Sequence, residues 1–274
     1  MNIAIIGCGY IGSKAAALWV KQDHHVTGTT RSPENLEGLS KIVAKGLIFR
    51  GTDEEDLRGL IANNEILLVT IAADSAEHYE STYLDMAKLF RSLALEMNAP
   101  RQLIYTSSSS VYGDHHGLWV DETNEIKPSL QTGKILVDTE TTYLSLEEIG
   151  WNVCILRLAE IYGPGRALSQ KLKKLEGRSM PGSGNQYTNM IHADDCAAAI
   201  HFASQHSLEG VFNLADDDHP TRKEFYEGLA KRFHLKPIQW DPNLPSFHGD
   251  NKRVSNHKIK SKGFSLIHPH RTFN

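Results

Sequence analysis

The chain has 274 residues, 40% of them hydrophobic and 23% charged, with a formal net charge of −4. That length and balance suit one α/β domain, or one domain plus a small lobe, and the acidic balance argues against a general nucleic-acid binder. Three widely spaced cysteines in apolar settings (Cys8, Cys154, Cys196) point to reduced thiols, and no basic leader or ~20-residue apolar stretch is present, so a soluble cytoplasmic protein is expected.

Short apolar runs at residues 2–6, 25–30, 46–50, 65–72, 101–107 and 152–158 are expected to be strands. Several are nearly continuous in Ile, Leu and Val, as in parallel strands buried on both faces. Helix-length segments separate them. Thr52 and Glu55 read as a capping box ahead of Leu57, Leu60 and Ile61. Residues 76–97 carry Tyr79, Tyr83, Leu84, Met86, Ala87 and Phe90 at helical spacing, with Pro100 beyond their end. Six strands alternating with helices predict an α/β, Rossmann-type doubly wound parallel sheet over residues 1–160. From 161 to 274 Gly and Pro become frequent, Thr221 and Glu224 form a second capping box, and 236–251 reads as loop. This part is expected to be a small C-terminal α/β substrate lobe, closely packed and without a separate linker.

The stretch IAIIGCGYIGSKAAALWV is a strand, a glycine turn and a helix. Gly7 allows the tight turn, Gly9 lets the backbone approach a diphosphate, and Gly12 allows close helix–strand packing. The N–H groups of Tyr10 and Ile11 then face the diphosphate at the helix N-terminus. At the end of the second strand, where an NAD site usually has a carboxylate, stand Thr30, Arg31 and Ser32. A hydroxyl and a guanidinium suit a 2′-phosphate, so NADP(H) is expected in preference to NAD(H). Ala72 and Thr106, at the ends of the fourth and fifth strands, complete the expected cofactor contacts.

TSSSSVYGD at 106–114, LRLAEIYGPGR at 156–166 and NMIHADDCAAAI at 189–200 together resemble the extended short-chain dehydrogenase/reductases, the NAD-dependent epimerase/dehydratase family. The likeness runs from the glycine turn to KGF at 262–264. Aligned on VYG, it implies that Ser108, ahead of its neighbours in the serine run, hydrogen-bonds the substrate's reacting oxygen. A tyrosine in Y-x-x-x-K would move the proton, and the lysine would tune the phenol and hold the nicotinamide ribose. Lys134 matches that lysine, with Gly133 before it, but Leu130 occupies the tyrosine position, and leucine exchanges no proton. Three explanations stand: a slipped alignment; another acid, such as Tyr112, Tyr162, His115 or His116; or NADP(H) binding without tyrosine-dependent chemistry. A similar pattern marks the atypical YeeZ-like subgroup, which lacks this tyrosine.

Beyond the sixth strand, Arg166 follows Gly163, Pro164 and Gly165 and is a candidate clamp for a substrate anion. Asn189 and His192 are candidate substrate contacts, and Asp194 and Asp195 read as structural residues of a helix's first turn. The resemblance adds Lys252 and Arg253 as basic substrate contacts. Neither His24 and His25 nor His115 and His116 have metal-ligand spacing, and no metal is expected. The function expected is an NADP(H)-dependent oxidoreductase or epimerase acting on a small carbonyl or sugar-like substrate with an atypical proton donor. The alternative is an NADP(H)-binding sensor or regulator. A β-hydroxyacid-type dehydrogenase, which IGCGYIG also resembles, would need a long all-helical second domain that the Gly/Pro-rich tail does not supply. The resemblance implies a homodimer through residues 76–97 and 134–149.

Overall fold

The strands expected at residues 2–6, 25–30 and 152–158 form over those residues in the computed structural model, which describes residues 1–51, 53–97, 101–244 and 250–271. The other three are shifted or trimmed, to Lys45–Ile48, Ile66–Val69 and Gln102–Ser108. A seventh strand, Gly210–Leu214, was not anticipated, because GVFNL is too short to stand out among the helical signals around it. The sheet order is Gly210–Leu214, Asn152–Leu158, Gln102–Ser108, Ile66–Val69, Asn2–Ile6, His25–Thr30, Lys45–Ile48. The pairs between the first five strands of the chain are all parallel. The strand order reverses between Asn2–Ile6 and Ile66–Val69, and the crevice beyond their carboxyl ends is where such sheets bind ligands.

Residues 76–97 are not one helix. A 3₁₀ turn at Ala76–His78 and a π-helical turn at Glu80–Asp85 precede the α-helix Met86–Met97. Thr52 and Pro100 lie outside the described residues. The helix Glu54–Asn63 is capped by Asp53, whose carboxylate accepts the Asp56 N–H. On one side of the sheet Phe90 meets Tyr143 and Trp151 edge-on, with ring centroids 5.8 and 5.5 Å apart. Each such pair adds about 0.5–1.5 kcal/mol to the burial of its rings. All three cysteines are buried, and none is in a disulfide.

The chain forms two compact units, and they do not follow a single cut at residue 160. The first comprises Met1–Val111, Leu130–Arg157 and Cys196–Phe212 and carries the sheet. The second comprises Tyr112–Ser129, Leu158–Asp195 and Asn213–Asn274. Its described residues form three short parallel strand pairs: Glu160–Tyr162 with Met190–His192, Ser179–Pro181 with Gln239–Asp241, and Trp119–Val120 with Arg253–Val254. Gln239–Asp241 lies in the stretch expected to be loop. The helix Arg222–Phe233 has the full capping box expected of Thr221 and Glu224. No helix among the described residues is long and apolar enough to cross a membrane.

Candidate functional site

Each glycine of the first turn has a different physical reason. Gly7 has φ +86°, and a Cβ there would lie 2.8 Å from the Thr70 carbonyl oxygen. A Cβ on Gly12 would lie 2.9 Å from the Gly7 carbonyl oxygen and 3.1 Å from Ile5 and Thr70 methyls. Both glycines are required by the fold. Gly9 has no such packing role: a Cβ there would meet no protein atom within 4 Å other than its chain neighbours. It is the N-cap of helix Tyr10–Val20, and no side chain caps that helix. The helix N-terminus therefore begins at a residue without a side chain, where a Cβ would meet no protein atom, and this turn fits a diphosphate. Cys8 is turned inward, with burial pushing its thiol up to about 11, so it packs rather than reacts.

At the end of the second strand the Thr30 hydroxyl accepts the Ser32 N–H at 3.3 Å. One terminal nitrogen of Arg31 donates to the Ala72 carbonyl at 3.1 Å and to Asp74 at 2.7 Å. Both partners of the ion pair are well exposed, so it contributes at most about 1 kcal/mol. Arg31 thus reaches across the sheet's carboxyl edge to the segment after the fourth strand, held by a weak pair that a phosphate dianion could displace. Ala72 takes part through its carbonyl, and Thr106 Oγ1 points at the Val69 carbonyl at 3.4 Å.

The serine run ends the fifth strand. Ser108 is half-buried, and its hydroxyl accepts the Ser110 N–H at 3.2 Å. Ser107, on the opposite face of the strand, is buried and donates to Glu140 at 2.6 Å. Glu140 lies on the helix Gln131–Leu144 and also takes Arg157, with the Nη2–Oε2 contact at 2.7 Å.

Leu130 and Lys134 stand one turn apart at the start of this helix, the Lys134 N–H donating to the Leu130 carbonyl at 3.2 Å. Leu130 is the N-cap, with extended backbone and 55% exposure, so it precedes the first helical turn. Lys134 belongs to an exposed stripe with Gln131, Asp138 and Thr141. The buried stripe carries Gly133, Leu136, Glu140 and Tyr143. Counting back from Glu140 by helical turns, the row that meets Ser107 passes through Leu136 and Thr132. Neither register supplies a phenol and an ammonium together.

The second unit is described on its own. Tyr112 is fully buried and its hydroxyl donates to Asn213 at 2.8 Å, which removes it as a proton donor open to a substrate. Tyr162 is 2% exposed, packed in an apolar cluster and edge-on to His192, and is withdrawn for the same reason. His115 contacts the Tyr112 carbonyl at 3.1 Å, and His116 is exposed beside Asp114. Arg166 is exposed on a turn closed by its own N–H to the Gly163 carbonyl at 2.8 Å.

Asn189 is not free for a substrate: its amide donates to the Lys252 carbonyl and accepts the Val254 N–H, at 2.9 and 2.7 Å, while His219 approaches the same oxygen. Lys252 is buried and donates to the Gly113 carbonyl, with burial lowering its pKa. Arg253 donates to the Gly117 carbonyl and lies over the Trp119 and Tyr187 rings. These three brace the segment 252–254. His192 is buried, and its Nδ1 accepts the Asp194 N–H at 3.2 Å. His192, Asp194 and His268 bring potential ligand atoms within 4.8 Å of one another, a grouping that sequence spacing did not reveal. Asp195 is structural, as expected, accepting the Ile267 and His268 N–H groups.

A family model described as the NAD dependent epimerase/dehydratase family matches residues 3–215. The chain belongs to that family. It is 30% identical to the protein YeeZ of Escherichia coli K12, over 98% of this chain and 96% of YeeZ. That likeness supports the atypical subgroup of epimerase-like members. A functionally unknown conserved protein from Silicibacter pomeroyi shares 26% identity and a TM-score of 0.80, covering 98% of this chain and 94% of that one. A UDP-glucose 4-epimerase from Thermotoga maritima superposes with a TM-score of 0.82 at 19% identity, covering 97% and 94% of the two chains, a likeness of fold.

In this family member the residues missed by sequence reading are Glu140 and Arg157, which hold Ser107 of the serine run. A signal was present: Glu140 falls on the apolar stripe of its helix, and Arg157 interrupts the apolar strand NVCILRL. Opposite charges in two buried elements imply a pair.

Proposed function

We propose that this chain binds NADP(H) at the 7–12 turn and uses it in oxidoreductase or epimerase chemistry on a small carbonyl or sugar-like substrate. The observation that carries the reading is Gly9, where a side chain would meet no protein atom and which begins a helix that no side chain caps. Tyr10 and Ile11 offer backbone N–H groups to the diphosphate, and Thr30, Arg31 and Ser32 take the 2′-phosphate. Thr106 lies at the nicotinamide half, Ser108 orients a substrate oxygen, and Arg166 takes a substrate anion. The bound cofactor would supply or accept hydride. The family supports this reading, as does the UDP-glucose carried by the Thermotoga epimerase. A homodimer through residues 76–97 and 134–149 belongs to the same reading.

A second reading, an NADP(H)-responsive binding protein, is favoured by one observation. The helix 131–144 presents no phenol–ammonium pair in either register, and both substitute tyrosines are buried. Fluorescence titration with NADPH and NADH tests the shared claim. NADPH should bind more tightly, and equal or tighter NADH binding would refute the role of Arg31. A panel of carbonyl compounds and nucleotide sugars scanned for NADPH oxidation separates the readings: turnover supports the first, saturable binding without turnover the second.

A further inference from the structure

Ser107, Glu140 and Arg157 join three elements in the half of the sheet beyond its reversal point: the strand Gln102–Ser108, the helix Gln131–Leu144 and the strand Asn152–Leu158. In a doubly wound sheet the first half takes the adenosine mononucleotide and the second half the other one. Glu140 and Arg157 side chains are 3% and 4% exposed. Arg157 Nε lies 3.1 and 3.2 Å from the two carboxylate oxygens, Nη2 lies 2.7 Å from Oε2, and the Ser107 hydroxyl closes on Oε1 at 2.6 Å.

A buried pair of this kind adds little net stability over well-packed apolar side chains, because desolvation offsets the attraction. It supplies direction instead: Oε1 takes donors from both strands and Oε2 takes Arg157, in a geometry that apolar packing does not define. Side chains alternate along a strand, so fixing Ser107 toward Glu140 turns Thr106 and Ser108 to the other face. We propose that Ser107, Glu140 and Arg157 are positioning residues that set Thr106 and Ser108 for the nicotinamide half of the cofactor. This rests on the NADP(H) reading above.

The test uses the full chain, NADPH, and 2′,5′-ADP, which carries the 2′-phosphate but no nicotinamide. Ser107→Ala and the apolar double variant Glu140→Leu/Arg157→Leu are compared with the unmodified chain by calorimetric titration and thermal melting; Ser107→Ala keeps the ion pair should the double variant not fold. In folded variants, 2′,5′-ADP affinity should stay within about two-fold while NADPH affinity falls about ten-fold or more. Unchanged NADPH affinity, or parallel loss of both ligands, would overturn the positioning role. If the unmodified chain binds neither ligand, the cofactor reading fails and takes this inference with it, a result distinct from the other two.

Discussion

Gly9→Ala separates binding from folding more cleanly than any other single change. The added methyl would meet no protein atom within 4 Å other than its chain neighbours. The stability change should stay below about 1 kcal/mol, or roughly 2–4 °C in Tm for a chain of this size. The methyl would stand where a diphosphate approaches the uncapped helix, and NADPH affinity should fall about 100-fold, corresponding to about 2.7 kcal/mol. Gly12→Ala is the contrast, since its Cβ would sit 2.9 Å from the Gly7 carbonyl oxygen and the strand or helix would have to move. That variant should lose stability by about 1–3 kcal/mol as well as affinity. Melting curves and NADPH titration on both variants provide the assay. A Gly9→Ala protein that binds NADPH as the unmodified chain does would refute the reasoning.

The same logic applies elsewhere. Arg31→Ala should weaken NADPH but not NADH, with Tm nearly unchanged because its ion pair is exposed, and Asp74→Ala should strengthen NADPH by freeing the guanidinium; loss of both cofactors equally in Arg31→Ala would contradict the assignment. His219 is held down to about 4, chiefly by burial and then by Arg271, so the unfolded chain binds more protons between pH 4 and 6.5. Stability should therefore fall as pH drops through that window, and His219→Gln should flatten the slope in a Tm-against-pH series. Leu130→Tyr should neither destabilise the chain by more than about 0.5 kcal/mol nor create NADPH-dependent turnover, since residue 130 is an exposed cap before the helix; substantial new turnover would show that judgement to be wrong.

What the sequence revealed follows what local physics can specify. Continuous apolar runs and the glycine turn made the sheet's first half legible, because burial on both faces and a tight turn leave few alternatives. The start of the helix was less legible: Leu130 is its exposed N-cap, and Lys134 lies on the exposed stripe with Gln131 and Asp138. Asn189 reads as a ligand contact from its place before a helix near the cleft, and Lys252 and Arg253 from the family resemblance. Their hydrogen bonds go to backbone more than 60 residues away in sequence, or more than 130, which no local pattern encodes. The seventh strand was hidden for a related reason, since Gly210–Leu214 is a strand only because Asn152–Leu158 offers it an edge.

A crystal structure of the full chain with NADPH is the most direct test of the central claim. The diphosphate should lie against Gly9 and the first-turn N–H groups, with the 2′-phosphate on Arg31 and no tyrosine of helix 131–144 facing the nicotinamide. A cofactor bound away from the 7–12 turn, or a 2′-phosphate with no contact to Arg31, would contradict it.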